Sequence, residues 1–317
     1  MSTKRSSRNK TLENRRWQCR DLIRSNCNFC ACSSFVLLTH ENDLPIVQCR
    51  NCGLIYVNPR PCDTELELFY RQYLRPEVSD LWKTATEKLF LTDAERIGTY
   101  RTAGNLLDIG CGFGFFLDIM KERGWKVSGC DLSDVAVRHA HEKLGLVDVK
   151  WGHFQHTGFP ESHFDVITLW YVLHHMSDPR KVLEKAHASL KKNGIIAIRL
   201  PNMELFRFLW FLKKFDCKAL RTLIRAVRKE TADPQVPYNI LDPPVHLYAF
   251  SPKVITQFLE QTGFSVIRTY NDGMVSRGNI VNRAVDGAIT RMAELIRRIT
   301  HSRVDLSISF SIYAKKV

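Results

Sequence analysis

From Asn105 to the C-terminus, short apolar runs alternate with amphipathic stretches of helical length, and few folds accommodate that rhythm. Repeated run, amphipathic segment, run is the signature of a parallel sheet covered by helices. Strands are expected at Leu106–Ile109, Trp125–Cys130, Val147–Lys150, Phe164–Trp170 and Gly194–Leu200. Helices are expected between them at Phe115–Arg123, Asp134–Leu144 and Pro179–Leu190. Ser133 carries a hydroxyl suited to capping the second helix, and Asn193-Gly194 is a natural stop for the third. The rhythm breaks across an insert, residues 203–245. It resumes with a helix at Pro252–Thr262, a strand at Ser265–Tyr270, a basic amphipathic helix at about Arg283–Ile299 and a strand at Leu306–Ala314. The expectation is an α/β domain with a seven-stranded, mostly parallel sheet and helices on both faces.

Upstream of this domain, over residues 105–317, three further segments are read. Residues 1–20 are polar and basic and predict a disordered tail, residues 21–62 cluster cysteines, and residues 63–104 form a helical connector or lid. Within the second segment, Cys27-x2-Cys30 and Cys49-x2-Cys52 have the spacing of two knuckles on one tetrahedral zinc. Cys32 and Cys62 are spare, although Cys32 could stand in for Cys30. Four thiolates leave no open coordination position, so this zinc is expected to be structural. The ten cysteines, with no apolar signal segment at the N-terminus, read as metal ligands or buried thiols of a cytoplasmic protein rather than as disulfides.

The net charge of +13 is unevenly placed. Residues 1–20 hold seven Lys/Arg against Glu13, and residues 203–230 hold eight against three acids, which leaves only +2 for the rest of the chain. Attraction to anions would therefore act through the tail and the insert. In the insert, Leu205, Phe208, Leu209, Leu212, Phe215, Leu220, Leu223, Ile224 and Val227 share one helical stripe, and Lys214, Lys218, Arg221, Arg225 and Arg228 share another. Such a segment can be a lid, a contact with an anionic membrane surface, peripheral at the inner membrane, or an added surface helix.

The sharpest motif is Asp108-Ile109-Gly110-Cys111-Gly112-Phe113-Gly114, at the end of the first expected strand of the sheet. Glycines let the backbone turn tightly and approach a ligand, and the following helix start offers unpaired N–H groups. A dinucleotide fingerprint, G-x-G-x-x-G, would put Gly where Phe115 or Leu117 stands, so both frames fail. What remains suits a ligand with an amino acid moiety and a ribose but no pyrophosphate. Asp108 can face an ammonium, and Asp131, with Leu132 beside it, closes the second strand where an acid accepts from ribose hydroxyls.

The stretch LLDIGCGFGFFLDIMKERGWKVSGCDLS resembles motif I and the acidic motif of class I S-adenosylmethionine-dependent methyltransferases, and FDVITLWYVLHHMSDPRKVLEKAHASLKKNGIIAIRLPN resembles their next block. CRNCGLIYVNPRPCDTELELFY is similar to the zinc-binding N-terminal segment of a subset of these enzymes. The resemblance implies a Rossmann-like fold with a small four-cysteine module resembling a zinc ribbon. It implies that Gly110, Gly112 and Gly114 cradle the methionine part of S-adenosylmethionine, with Asp108 beneath it and Asp131 on the ribose. Where the family usually has Gly-Asp for the adenine amine, this chain has Gly152-His153, and Phe154 is placed to pack against the adenine.

Methyl transfer needs alignment, exclusion of water and a route for the acceptor's proton. His174 and His175 follow the fourth strand of the sheet, and His246 lies in a Pro-Pro-x-His-Leu stretch similar to one that crosses the substrate mouth in such enzymes. These three histidines are the candidates for lining the pocket or moving the proton. The expected activity is methylation of O or C in a small metabolite, sugar or lipid-linked precursor. Two alternatives stay open: RNA methylation, prompted by the basic tail and the zinc module, and an inactive methyltransferase-like binding module. Nucleic acid is not the expected partner, since no RNA-binding signature accompanies the basic residues.

Overall fold

The computed structural model describes residues 21–71, 79–205, 207, 241–272, 291–296, 298–300 and 306–317. The basic tail, most of the insert with its two stripes, and the first part of the expected 283–299 helix lie outside the described residues.

The N-terminal module contributes β1 (Leu22–Ile23), β2 (Phe35–Glu41), β3 (Leu44–Cys49), β4 (Ile55–Val57) and β5 (Arg60–Pro61), followed by α1 (Asp63–Arg71) and the long α2 (Ser79–Tyr100). The main domain then runs β6 (Asn105–Ile109), α3 (Phe115–Glu122), β7 (Lys126–Asp131), α4 (Asp134–Leu144), β8 (Val149–Trp151) and β9 (Phe164–Trp170). It continues with a 3-10 turn (Leu173–His175), α5 (Pro179–Ser189) and β10 (Leu190–Pro201). After the insert come β11 (Tyr248–Ala249), α6 (Pro252–Gln261), β12 (Phe264–Asp272) and β13 (Ser309–Lys316).

Seven strands form one sheet in the order β12-β13-β10-β9-β6-β7-β8. Strands β6 to β10 are parallel, and β13 runs antiparallel between β10 and β12. From β6 the chain winds outward through β7 and β8, then crosses to β9 and β10 on the other side. A doubly wound sheet opens a crevice at such a reversal, outside the carboxyl ends of its central strands. The helix boundaries follow their caps. Ser133 accepts from the Ala136 N–H at 3.2 Å to start α4, and Gly145 closes it in the left-handed region (φ 59°). Asp178 and Ser251 cap α5 and α6, each followed by Pro at the first turn.

One expected stop moves. Helix α5 ends at Ser189, not at Asn193-Gly194, because Leu190 is already extended and pairs with Phe164 on β9. Asn193 (φ 64°) and Gly194 instead sit in a bulge inside β10, between the Leu190 and Ile195 registers. Burial of the Leu190 side chain, fully enclosed, pulled the strand back into what reads locally as helix.

The cysteine module is not a separate body. Strand β11, from beyond the insert, pairs with β4 and completes the four-stranded sheet β11-β4-β3-β2. Phe29, Leu44, Ile46, Leu54 and Tyr56 share one apolar core with Leu107, Ile109, Phe250 and Phe258 of the main domain. The shortage of core in so short a segment is thus met partly by its neighbour. Among the described residues, no helix is long and apolar enough to cross a membrane.

Under the crevice lies a charged cluster that periodicity gave no sign of. Arg199 on β10 is fully buried and donates to both carboxylate oxygens of Asp93 on α2 (2.6 and 2.8 Å) and, through Nε, to Asp272 on β12 (3.0 Å). Arg96 donates to the other Asp272 oxygen at 2.8 Å. Burial pushes Asp93 up to about 7 even against the pull of Arg199. Removing one partner of such a network strands the remaining buried charge, at about 3–5 kcal/mol. Arg199→Met is expected to lose stability on that scale in chemical denaturation, and a loss under about 1 kcal/mol would mean the cluster is not a coupled unit.

Candidate active site and cysteine cluster

A cavity of about 600 Å³ fills the crevice, within the range of small-molecule sites. Of the predicted cofactor residues, Asp108, Gly110, Gly112, Asp131, Leu132, His153 and Phe154 line it. The loop after β6 runs through left-handed conformations at Gly110 (φ 73°) and Gly112 (φ 53°). A Cβ at Gly110 would lie 2.4 Å from the Val172 side chain, so only glycine lets the loop pass there. Gly114 does not line the cavity. Its left-handed φ of 86° starts α3, and a Cβ on it would meet Leu146 at 2.7 Å, so packing against α4 accounts for that glycine.

The two acids are held differently. Asp108 is buried and accepts from the Thr168 hydroxyl at 2.7 Å; burial pushes it up to about 8. Asp131 accepts from the Gly112 and Ser133 N–H groups, both at 2.8 Å, one on each oxygen. Each carboxylate oxygen has two acceptor directions, so both retain capacity toward a ligand. The amide of Gly112 therefore fixes the acid and the loop to one another.

At the adenine position of the resemblance, His153 is half-buried, its Nδ1 3.3 Å from the Gln155 N–H, and burial and His156 lower its pKa. Phe154 is buried in the core beside Phe159, and its carbonyl is one of three that accept from Lys185 Nζ.

In the same cavity the structure brings His174, His175 and His246 together, their ring centroids 4.1, 4.8 and 4.9 Å apart. Tyr171 makes this possible: its φ of 55° ends β9 sharply and turns the chain into the 3-10 segment. His175 Nδ1 donates to the Val245 carbonyl, and His246 Nδ1 donates to the Leu241 carbonyl at 2.6 Å. Burial, reinforced by neighbouring imidazoles, holds His175 down at about 3 and His174 well below the usual range. Both rings are thus neutral at physiological pH. Tyr70 reaches in from α1, its hydroxyl donating to Val245 O at 2.7 Å and lying 3.3 Å from His175 Nδ1. Tyr70, Arg199 and Tyr248 also line the cavity and were not singled out by sequence as site residues. Tyr70 falls at helical spacing with the buried Leu66 and Phe69 of α1, a pattern visible in the sequence.

The sulfurs of Cys27, Cys30, Cys49 and Cys52 all lie within 4.8 Å of one another, with Cys27–Cys52 at 3.4 Å and Cys30–Cys49 at 3.5 Å. Tetrahedral thiolates at about 2.3 Å from a metal are about 3.8 Å apart, so the set fits one four-coordinate ion. Both knuckles turn alike: Ala31 (φ 58°) donates back to Cys27 O and Gly53 (φ 78°) to Cys49 O. The Cys52 thiol beside it holds Cys27 down at about 5, and the same contact pushes Cys52 up. Cys32 turns instead to Ser34, whose N–H approaches its sulfur at 3.4 Å, and Cys62 is outside the cluster.

A family model for a methyltransferase domain matches residues 70–269. The chain belongs to the methyltransferase domain family. The match begins at Tyr70, so the four cysteines lie outside it. A probable S-adenosylmethionine-dependent methyltransferase of Mycolicibacterium smegmatis is 26% identical over 108 residues, 34% of this chain and 42% of that protein. The ubiquinone biosynthesis O-methyltransferase of Actinobacillus pleuropneumoniae serotype 7 is 31% identical over 109 residues, 32% and 47% of the two chains. The chain thus spans about half the length of these curated relatives. Among solved structures, the cyclase SpnF superposes with a TM-score of 0.50 at 16% identity, over 81% of this chain and 98% of that one, and shares the fold.

The raised pKa of Asp108 has a consequence for stability. Between about pH 4 and 8 the folded protein keeps a proton that the unfolded chain has released, so stability falls as pH rises through that window. Asp108→Asn keeps an acceptor for Thr168 and removes the titration. Its stability relative to the native protein is expected to climb by a few kcal/mol, to order of magnitude, between pH 4 and 8. Parallel denaturation curves across that range would refute this.

Proposed function

We propose that this methyltransferase moves the methyl group of S-adenosylmethionine to a small-molecule acceptor, and that the acceptor atom is oxygen. The observation that carries the reading is the joining of two features in one cavity. A glycine loop flanked by Asp108 and Asp131 and the His174, His175 and His246 cluster line the same space. Loop N–H groups would hold the carboxylate of the methionine moiety, Asp108 its ammonium, and Asp131 the ribose hydroxyls, with His153 and Phe154 toward the adenine. When bound, S-adenosylmethionine supplies an electrophilic methyl: the acceptor's lone pair forms the new bond, the C–S pair returns to sulfur, and the acceptor's proton is released.

The histidines and Tyr70 would orient the acceptor. His174 and His175, held neutral, can accept a hydrogen bond, and Tyr70 positions the His175 ring. The buried walls around them exclude water, which would compete for the methyl. The O-methyltransferases among the relatives support oxygen over carbon. A lipid-linked acceptor would suit the basic insert, and the small-metabolite and sugar classes remain within the same proposal.

Because an arriving ammonium favours the charged form of Asp108, binding at neutral pH should expel a proton from it. Calorimetry is expected to show S-adenosylmethionine affinity rising from pH 6 toward 8, with a heat that depends on the buffer. Asp131→Ala is expected to weaken binding at least tenfold. No binding heat at any pH would end the reading.

We further propose that the four-cysteine site holds a structural zinc. Its closed ligand set can contribute folding energy but offers no position to substrate. Displacing thiolates with a mercurial is expected to release zinc and lower the melting temperature, and a protein that melts unchanged after release would contradict the structural role.

A further inference from the structure

The histidine cluster has features that lining a pocket does not require. One ring nitrogen from each of His174, His175 and His246 lies within 4.8 Å of the other two. Three ligands at about 2.1 Å from one ion would be about 3.4 Å apart, so modest ring rotations close the set. The tautomers are fixed from outside the cluster. Carbonyl oxygens only accept, so Val245 O and Leu241 O take the Nδ1 protons of His175 and His246 and fix the orientation of both rings. Anchoring of the distal N–H by a backbone carbonyl is the arrangement that orients metal-ligating histidines. His174, 3% exposed, has an Nδ1 with no hydrogen-bond partner among the described residues, a cost that a ligand in the cavity would relieve.

We propose that His174, His175 and His246 form a second metal site, distinct from the cysteine site, which takes a divalent transition ion and presents it to the acceptor oxygen. Three imidazoles suit zinc, iron, cobalt, nickel or copper rather than magnesium or calcium. Three protein ligands also leave a coordination position open, whereas four thiolates do not. The role toward the acceptor rests on the methyl-transfer reading; the metal site itself does not. A ligated hydroxyl loses its proton to solvent more readily, its oxygen lone pair then bonds the methyl carbon, and the C–S pair stays on sulfur as a neutral thioether. The acceptor class is accordingly an alcohol, phenol or enol whose reacting oxygen can bind a metal.

Cobalt(II) added to the metal-stripped full-length protein separates the two sites, because thiolate ligation gives intense sulfur-to-metal charge transfer and imidazole ligation does not. Native mass spectrometry is expected to count two cobalt ions per chain, with charge transfer saturating after the first equivalent or growing with only one of the two. His246→Ala is expected to bind one, with charge transfer intact and S-adenosylmethionine still binding. His174→Gln replaces it if that variant loses the binding heat through misfolding. One cobalt per chain in the native protein, or an unchanged count in a folded variant, overturns the proposal. Two cobalt ions with no S-adenosylmethionine heat would instead sink the methyl-transfer reading and leave the metal site standing.

Discussion

A short run of backbone pairing ties the N-terminal module to the cavity. Strand β11 adds to β4, and the Val57 N–H donates to Leu247 O at 3.0 Å, while the Leu247 N–H donates to His174 O at 2.9 Å. The cysteine sheet is therefore joined through one residue to the turn that carries two of the three histidines. Glu41 adds a second tie, its carboxylate accepting from the N–H groups of Leu241 and Asp242 at 2.9 and 3.0 Å. Those residues begin the segment that holds His246. A metal bound by the two knuckles would thus also order the histidine wall of the cavity, although it would lie outside the matched domain.

A third tie reaches the other side of the module. Asn28, between the first two cysteines, donates to Asp178 at 2.9 Å and accepts from the Arg180 N–H at 2.9 Å, at the capped start of α5. Arg180 also donates to Phe29 O, and Phe29 packs on Phe258 of α6 with ring centroids 4.9 Å apart. The polar contacts fix orientation, and the shared apolar core supplies most of the adhesion. Such an arrangement makes the module a part of the main domain's body rather than a tethered accessory.

The floor of the cavity follows a different logic. Arg199, Asp93 and Asp272 are charges taken out of water by the folding of α2, β10 and β12 around them, and they hold because each carboxylate meets a guanidinium. Asp108 lies nearby and accepts from the neutral hydroxyl of Thr168, and its proton is the simplest way to carry that burial without a bound cation. The contrast separates a carboxylate that is structurally neutralised from one whose charge awaits a ligand.

What the sequence determined by itself is whatever is local or periodic. The strand-helix rhythm after Asn105, the Ser133 cap, the glycine loop with Asp108 and Asp131, and the two cysteine pairs all depend on spacings within a few turns of chain. Tertiary structure decided what depends on distant partners. The enclosure of Leu190 overrode the Asn193-Gly194 stop, packing rather than ligand explains Gly114, and β11 came from beyond the insert to close the cysteine sheet. Candidate histidines were legible as separate residues, but their convergence, tautomers and neutrality required the carbonyls of Leu241 and Val245 and a shared buried space. The Arg199 cluster was hidden for the same reason: an arginine in a strand reads as a surface residue until three elements remove its water.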